Sequence, residues 1–168
     1  HTPCADTRSN DGLVVYYVAD IWLRSSEYLR TAYVTNGYRS VHDMAAESNA
    51  ILAIDGDYAF SREYGPIVRN GAFLRDTGFD DILVYYTDGS MRIFRGNAFD
   101  MDAEMEKGAV QVWSFGPALL DAEGKSIDKF NTNIAGLNPR AALGYYEPGH
   151  YCFVVVDGRG ENLSLIHI

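Results

Sequence analysis

The stretch ILVYYTDGSMRIF, residues 82–94, places two runs of β-branched and aromatic residues on either side of the tetrapeptide TDGS. An Asp-Gly pair between apolar runs is a strong hairpin signal, because glycine readily adopts the positive φ angles that tight turns need. The stretch therefore predicts an antiparallel hairpin with strands at Ile82–Tyr86 and Met91–Phe94. It also indicates that sheet, rather than helix, dominates the fold.

Strand signals continue on both sides of this hairpin. Segments rich in Val, Ile, Tyr and Trp suit the pleated surface of a sheet. The run Ala50–Ile54 is continuously apolar, which is typical of a strand buried on both faces. The other predicted strands are Leu13–Leu23, Tyr28–Thr35, Ala109–Phe115, Ala141–Tyr146 and Tyr151–Val156.

Two short helices are predicted among these strands. Ser40 begins the first helix, and Asp43 follows three residues later, as in a capping box. Asp100–Lys107 forms the second helix, and Gly108 follows it as a C-terminal cap. These elements predict an α+β fold, a single sheet-dominated domain with two or three short helices. An α/β mixed sheet is the alternative.

Composition bounds the size and the partners of the protein. The 168 residues suffice for one domain with a real core. We predict a polar lead-in at 1–12, the domain at 13–160 and a non-native tail at 161–168. A net charge of −9 argues against general binding to nucleic acid or to an anionic membrane face. The 47% hydrophobic share excludes intrinsic disorder, and the apolar runs are too short for a membrane span.

Signatures of metal, redox and nucleotide sites are missing from the sequence. It contains no C-x-x-C pair, no P-loop and no G-x-G-x-x-G, and its four histidines are scattered. We therefore predict neither a metal nor a cofactor. Cys4 and Cys152 are interpreted as unrelated thiols, one exposed and one buried. A disulfide that ties down the N-terminus is the alternative.

Asp55 and Asp57 follow the apolar run Ala50–Ile54 and are separated by a single glycine. Two carboxylates this close in sequence suit acid–base or nucleophilic chemistry, or can hold a cation. The alternative is that both side chains only cap a turn.

Three arginines stand beside Gly, Pro or Asn at the ends of apolar segments. They are Arg69, Arg140 and Arg159. A guanidinium presents a rigid fork of donors that matches a phosphate or a carboxylate. The residues alone leave two interpretations open, a phosphate site or structural ion pairs with neighbouring acids.

Five segments, taken in order, resemble the phosphodiester glycosidase family. The resemblance extends over 15–159, and five motifs in the family's order argue against a chance match. The segments are NAILAIDGDY (49–58), VRNG (68–71), WSFGPALL (113–120), NPR (138–140) and VVVDGR (154–159).

The resemblance implies hydrolysis of a sugar-1-phosphodiester of the GlcNAc-1-phosphodiester type, in carbohydrate or exopolysaccharide metabolism. Because a phosphate monoester leaves readily, the site needs a carboxylate at the sugar and cations at the phosphate. We predict Asp57 as the catalytic carboxylate, with Asp55 or Asp157 in support. The predicted substrate-binding residues are Arg69, Arg140 and Arg159 for the phosphate, Ser114 and Gly116 for a sugar hydroxyl, and Asn70.

Two departures from the family pattern affect this expectation. Asp55 stands where the family commonly has Asn, and we expect the extra acid beside Asp57 to add like-charge repulsion at the pair or to alter substrate preference. The chain also ends before an N-L-D-G-G-G-S motif that helps to form the family's site, and Leu163–Ile168 does not resemble the family there. We expect a C-terminally truncated, inactive fragment of a secreted or cell-envelope protein.

Two other functions compete with this hypothesis. The first is a non-enzymatic envelope protein that binds a carbohydrate or a glycan phosphate on the same fold. The second treats Asp55-Gly56-Asp57 as the D-x-D motif of a metal-dependent glycosyltransferase, which the scarcity of predicted helices disfavours.

Overall fold

A computed structural model describes residues 6–10, 15–78, 81–114, 116–121, 123–130 and 138–157, with 6–10 described by their backbone alone. The chain divides into two compact units, the first comprising His1–Leu23 and Pro117–Ile168 and the second Arg24–Gly116. Nine strands lie in the described residues. They are β1 (Asp6–Asn10), β2 (Val15–Trp22), β3 (Ile67–Arg69), β4 (Ala72–Arg75), β5 (Asp81–Tyr86), β6 (Met91–Arg95), β7 (Ala109–Trp113), β8 (Arg140–Glu147) and β9 (His150–Val156).

Each unit contains one antiparallel sheet. In the first unit the strand order is β1-β2-β9-β8, and in the second it is β4-β3-β7-β5-β6. The predicted hairpin is confirmed as β5 and β6, with Leu83 opposite Ile93. The predicted α+β class is also confirmed, because two sheets and few short helices make up the described structure.

The helices begin where their capping residues predict. Helix α1 is Val41–Glu47, and the Ser40 side chain accepts a hydrogen bond from the Asp43 amide at 3.0 Å. Helix α2 is Met101–Glu106, capped in the same way by Asp100. Gly108 follows α2 with φ +94°, and a Cβ there would lie 2.7 Å from Thr87 Oγ1. Short 3-10 turns at Ser26–Tyr28 and Gly96–Ala98 complete the helical structure of the described residues.

The core of the second unit lies between its sheet and α2. Its buried residues are Val68, Ile82, Val84, Tyr86, Phe94, Met101, Ala109 and Val112. A carboxylate lies at the edge of this core, because the Glu104 side chain on α2 is only 4% exposed. The Tyr86 hydroxyl donates to Glu104 Oε2, and Lys107 Nζ lies 2.7 Å from Glu104 Oε1. Both carboxylate oxygens are therefore satisfied, which offsets the cost of burying the charge.

Replacing Tyr86 by Phe is expected to lower the free energy of unfolding by about 1–3 kcal/mol, because the buried Glu104 carboxylate loses the hydrogen bond from the Tyr86 hydroxyl. Urea unfolding at neutral pH measures this loss. The matched control is Tyr28→Phe, whose ring is 73% exposed. Equal stability of the Tyr86→Phe variant and the wild type would contradict a stabilising hydrogen bond from Tyr86 to Glu104.

The same tyrosine makes the fold sensitive to alkali. Burial raises the pKa of Tyr86, and the hydrogen bond to Glu104 raises it further. The folded state therefore favours the neutral phenol. The resulting stability is complete below about pH 10 and decreases as the pH rises beyond it, a loss that the Phe variant lacks.

A clasp in the first unit joins β2 to the β8–β9 hairpin. We define it as Asp20, Trp22, Tyr146 and His150. The His150 ring stacks on Trp22 with centroids 3.8 Å apart and on Tyr146 at 4.3 Å. Asp20 Oδ1 lies 2.7 Å from His150 Nε2, and Trp22 Nε1 donates to Asp20 Oδ2 at 3.2 Å.

This clasp predicts an acid-sensitive contribution to stability. The hydrogen bond to His150 lowers the pKa of Asp20 below its ordinary value of 3.8. Stability from the depressed pKa is complete above that value and is lost as the pH falls below it. We expect Asp20→Asn to lower the melting temperature at pH 7 and to approach the wild type as the pH falls below 3.8. The control is Asp128→Asn, an exposed acid of the same unit; a constant gap for Asp20→Asn across this pH range would contradict the prediction.

The predicted strand Tyr28–Thr35 is wrong. A 3-10 turn occupies Ser26–Tyr28, and no strand follows before α1. The physical reason is that the side chain of Asn70 replaces a neighbouring strand. Asn70 Oδ1 accepts from the Thr31 amide at 3.1 Å, and Asn70 Nδ2 donates to the Thr31 carbonyl at 2.9 Å.

The predicted buried strand Ala50–Ile54 is also wrong. These residues form no strand, and Ile51 is 93% exposed. Asn49 adopts φ +50° directly after α1 and redirects the chain. A continuous apolar run carries no period of its own, so the sequence pattern does not distinguish a strand from an exposed segment.

The lead-in prediction also differs from the structure at residues 6–10, which pair with β2 as strand β1.

Cys152 is a buried free cysteine, while Cys4 lies outside the described residues. No helix in the described ranges is long and apolar enough to cross a membrane.

Candidate active site

Asp57 occupies a segment without helix or strand between α1 and β3, yet its side chain is only 4% exposed. Arg69 Nη2, from the last residue of β3, donates to Asp57 Oδ1 at 2.6 Å. The Ser114 amide, directly after β7, donates to Asp57 Oδ2 at 3.2 Å. Two neighbouring strands therefore hold this carboxylate in one orientation.

Arg69 is buried more completely than its partner, with 1% of its side chain exposed. Its Nη1 donates to the Val112 carbonyl at 2.5 Å and to the Val68 carbonyl at 3.1 Å. Its Nε is buried and has no hydrogen-bond partner within the part of the chain that the structure describes. In this arrangement the guanidinium orients Asp57. Its predicted contact with phosphate stays a prediction, and such a contact would have to be made through the buried Nε edge.

A carboxylate held in this way still has capacity for a ligand. Each ionised carboxylate offers about four lone-pair sites, and the contacts from Arg69 and Ser114 occupy two of them at Asp57. Two lone-pair sites of Asp57 therefore remain without a donor among the described residues. The geometry therefore suits a fixed acceptor whose orientation does not change during a reaction.

Asn70 is the neighbour of Arg69 and adopts φ +52° at the end of β3. The side chain of Asn70 makes two hydrogen bonds to Thr31. Its Oδ1 also accepts from Gln111 Nε2 at 2.7 Å, and the backbone amide of Asn70 donates to Gln111 Oε1 at 3.0 Å. These contacts tie the segment at Thr31 to the sheet. The substrate-binding role predicted for Asn70 stays a prediction.

The other predicted residues of this unit lie differently. Asp55 is exposed and has no hydrogen bond or ion pair with any described residue, whereas Ser114 is 4% exposed. Gly116 packs closely on Asp81, because a Cβ at position 116 would lie 3.1 Å from Asp81 Cβ. Asp57, Arg69 and Ser114 are thus the predicted residues that the second unit brings into direct contact.

Arg140 and Asp157 belong to the first unit. Arg140 lies opposite Val156 in the β8–β9 register, so it shares one end of that sheet with Asp157. The Asp157 amide donates to the Val15 carbonyl at 2.9 Å, which fixes the chain as it leaves β9. Arg159 lies outside the described residues.

Sequence reasoning missed Gln111, which is 1% exposed in the middle of β7. Its side chain fixes Asn70, the neighbour of Arg69, and so supports the site from behind. The signal was present, because an amide within the apolar strand AVQVW requires a buried hydrogen-bond partner. Among the described residues, no group of three or more His, Cys, Asp or Glu is placed to hold a metal ion.

The sequence profile of the phosphodiester glycosidase family matches residues 48–166, which is more than half of the chain. The chain belongs to the phosphodiester glycosidase family. Asp57, Arg69 and Ser114 all lie within the matched range. The resemblance predicted from five motifs is therefore confirmed.

Two longer proteins are similar to this chain, which spans less than two thirds of the length of each. The SPbeta prophage-derived uncharacterized protein YomE of Bacillus subtilis (strain 168) is 27% identical over 140 residues, covering 77% of this chain and 22% of YomE. The catalytic domain of zebrafish N-acetylglucosamine-1-phosphodiester alpha-N-acetylglucosaminidase, auto-inhibited by its pro-peptide, superposes with a TM-score of 0.58 at 16% identity. That match covers 98% of this chain and 62% of the zebrafish chain, and it supports the fold.

Proposed function

We propose that this chain carries the catalytic carboxylate of a hydrolase that cleaves a sugar-1-phosphodiester, of the GlcNAc-1-phosphodiester type, and releases the sugar. Family membership supports glycosidase chemistry in general. The observation that carries the proposal is the orientation of Asp57, whose two oxygens accept from Arg69 Nη2 and from the Ser114 amide.

The reaction adds water across the bond between the anomeric carbon and the phosphate oxygen. The water oxygen joins the anomeric carbon, and the electron pair of the broken bond leaves with the phosphate monoester. One water proton stays on the new sugar hydroxyl, and the other passes to a base. Asp57 either accepts that proton or stabilises the positive charge that develops at the sugar ring. A carboxylate that is already oriented does either without reorganisation.

Asp55 supports Asp57 from the solvent side in this proposal. It is exposed and lies two residues before Asp57 in the same segment. Substrate can therefore contact Asp55 without a change in the packing around Arg69. Arg140 and Arg159 keep the phosphate-binding role, and Asp157 the supporting role, that the resemblance implies.

A second function is favoured by the burial of the pair itself. With 4% of Asp57 and 1% of Arg69 exposed, the ion pair also suits a purely structural role. The protein would then bind a carbohydrate or a glycan phosphate at the cell envelope without turnover. In either case we propose that it acts outside the cytoplasm, in exopolysaccharide or related glycan metabolism.

One assay separates these functions. The sequence leads us to expect no turnover by the 168 residues alone. A version of the chain extended to the length of the family's catalytic domain is therefore incubated with a GlcNAc-1-phosphodiester, with and without a chelator, and free GlcNAc is measured. Release that is independent of the chelator supports the hydrolase, and release that requires a divalent ion supports the glycosyltransferase alternative instead. Binding of the diester by the extended version without release supports the non-enzymatic function and would overturn the hydrolase proposal.

A further inference from the structure

The chain that follows Asp57 forms an ordered loop without helix or strand. We call residues 58–65 the Arg75-braced loop. The guanidinium of Arg75, the last residue of β4, donates to four of its carbonyls. Nε contacts Gly65 at 2.8 Å, Nη1 contacts Arg62 at 2.6 Å, and Nη2 contacts Ala59 at 2.9 Å and Tyr64 at 2.8 Å. One side chain therefore fixes the loop along most of its length.

This rigid loop presents an arginine beside two aromatic rings. The Arg62 guanidinium carbon lies 5.1 Å from the ring centroid of Tyr58 and 5.9 Å from that of Tyr64. Both distances fall within the range of cation–π attraction. The two rings are 59% and 53% exposed, so they add little to the core.

The position of the loop relates it to the carboxylate. Tyr58 is the next residue after Asp57, so their Cα atoms are about 3.8 Å apart. Arg69, which pairs with Asp57, and Arg62, which follows Asp57 by five positions in the sequence, also differ in exposure. Arg69 has 1% of its side chain exposed, whereas Arg62 is partly exposed.

We propose that the Arg75-braced loop binds the leaving group of the phosphodiester. Arg62 binds the phosphate, and the rings of Tyr58 and Tyr64 contact the organic group esterified to it. A planar guanidinium pairs with two phosphate oxygens at once, and an exposed ring offers a face to an aromatic or apolar group. This inference rests on the proposed function for the identity of its ligand, a phosphate monoester with an apolar or aromatic substituent.

The test measures binding instead of turnover. The 168-residue chain is titrated calorimetrically with phenyl phosphate, with inorganic phosphate and with GlcNAc. The wild type is expected to bind phenyl phosphate more tightly than inorganic phosphate. Arg62→Gln should weaken the binding of both phosphates about tenfold or more, because a charge-assisted pair is lost. It should leave the binding of GlcNAc unchanged.

Two further variants complete the design. Tyr64→Ala should weaken phenyl phosphate about threefold to tenfold and leave inorganic phosphate unchanged, since only ring contact is lost. Arg92→Gln is the matched control, because Arg92 also lies over a ring, 5.0 Å from the centroid of Phe94, but outside the loop. Circular dichroism verifies that each variant is folded.

The outcomes separate this inference from the proposed function. Equal phosphate affinity of the wild type and Arg62→Gln would overturn the inference even if GlcNAc is released from the diester. Phosphate binding that depends on Arg62, without any release of GlcNAc by the extended version of the chain, would sustain the inference and reject the hydrolase proposal. An equal loss of affinity in Arg62→Gln and Arg92→Gln would also overturn it, because general surface charge would then explain the binding.

Discussion

Replacing Arg69 by Met is expected to lower the free energy of unfolding by about 3–5 kcal/mol, the largest stability effect that the site predicts. The substitution leaves Asp57 as a buried charge with the Ser114 amide as its remaining partner. It also removes the donor to the Val112 and Val68 carbonyls. Chemical denaturation measures the change.

Two variants make this result specific. Arg92→Met removes an exposed arginine from the same unit, and we expect a change within about 0.5 kcal/mol. The double variant Asp57→Asn with Arg69→Met removes both charges, so it should be less destabilised than the two single losses added together. A loss below about 1 kcal/mol for Arg69→Met, or strict additivity in the cycle, would contradict a buried ion pair.

In the extended version of the chain, replacing Asp57 by Asn is expected to reduce the release of GlcNAc about 10²- to 10⁴-fold, the range for loss of a positioned acid–base group. Asn keeps the shape of the side chain and an oxygen acceptor, but it cannot take a proton or stabilise a cationic sugar ring. The structure adds a second consequence. Because Arg69 stays charged and buried, this variant is also less stable, so kcat is measured per folded molecule.

Asp55→Asn is the matched control for that experiment. The two acids are separated by one glycine, but Asp55 is exposed and without a partner among the described residues. Its replacement should leave stability unchanged and affect kcat less than Asp57→Asn does. A fully active Asp57→Asn enzyme, or a larger loss of kcat in Asp55→Asn, would move the catalytic role away from Asp57.

The elements that the sequence predicts well are those governed by local chemistry. Ser40 and Asp100 each cap a helix with a side-chain oxygen 3.0 Å from an amide three residues later, a contact that needs only neighbouring residues. The hairpin between β5 and β6 depends on its own turn in the same way. Short-range rules therefore gave these boundaries to within one or two residues.

The errors occur where a distant side chain or an exposed surface decides the structure. Thr31 is held by Asn70, 39 residues away, and no local sequence pattern predicts that contact. Ile51 is apolar but exposed, because Asn49 turns the chain away from the core before it. In both cases the residue types favour a strand, but the surroundings of the segment in the folded protein do not provide one.

The candidate site was predicted by position more than by role. Motif order placed Asp57, Arg69 and Ser114 in one set, and the structure brings them into contact. The sequence could not tell a buried arginine that orients a carboxylate from an accessible one that binds phosphate. Arg62 stands in no motif, and only its closeness to two aromatic rings in the structure distinguishes it from other arginines.

The division of the chain into two units has a consequence for the order of folding during synthesis. The second unit is continuous in sequence, so it can fold as soon as residue 116 has left the ribosome. Strand β2 is synthesised early and its partner β9 late. The side chains of Asp20 in β2 and His150 in β9, which contact each other, are 130 positions apart in the sequence. Through that interval the edge of β2 that later pairs with β9 is open, and an open strand edge is a template for pairing with another chain.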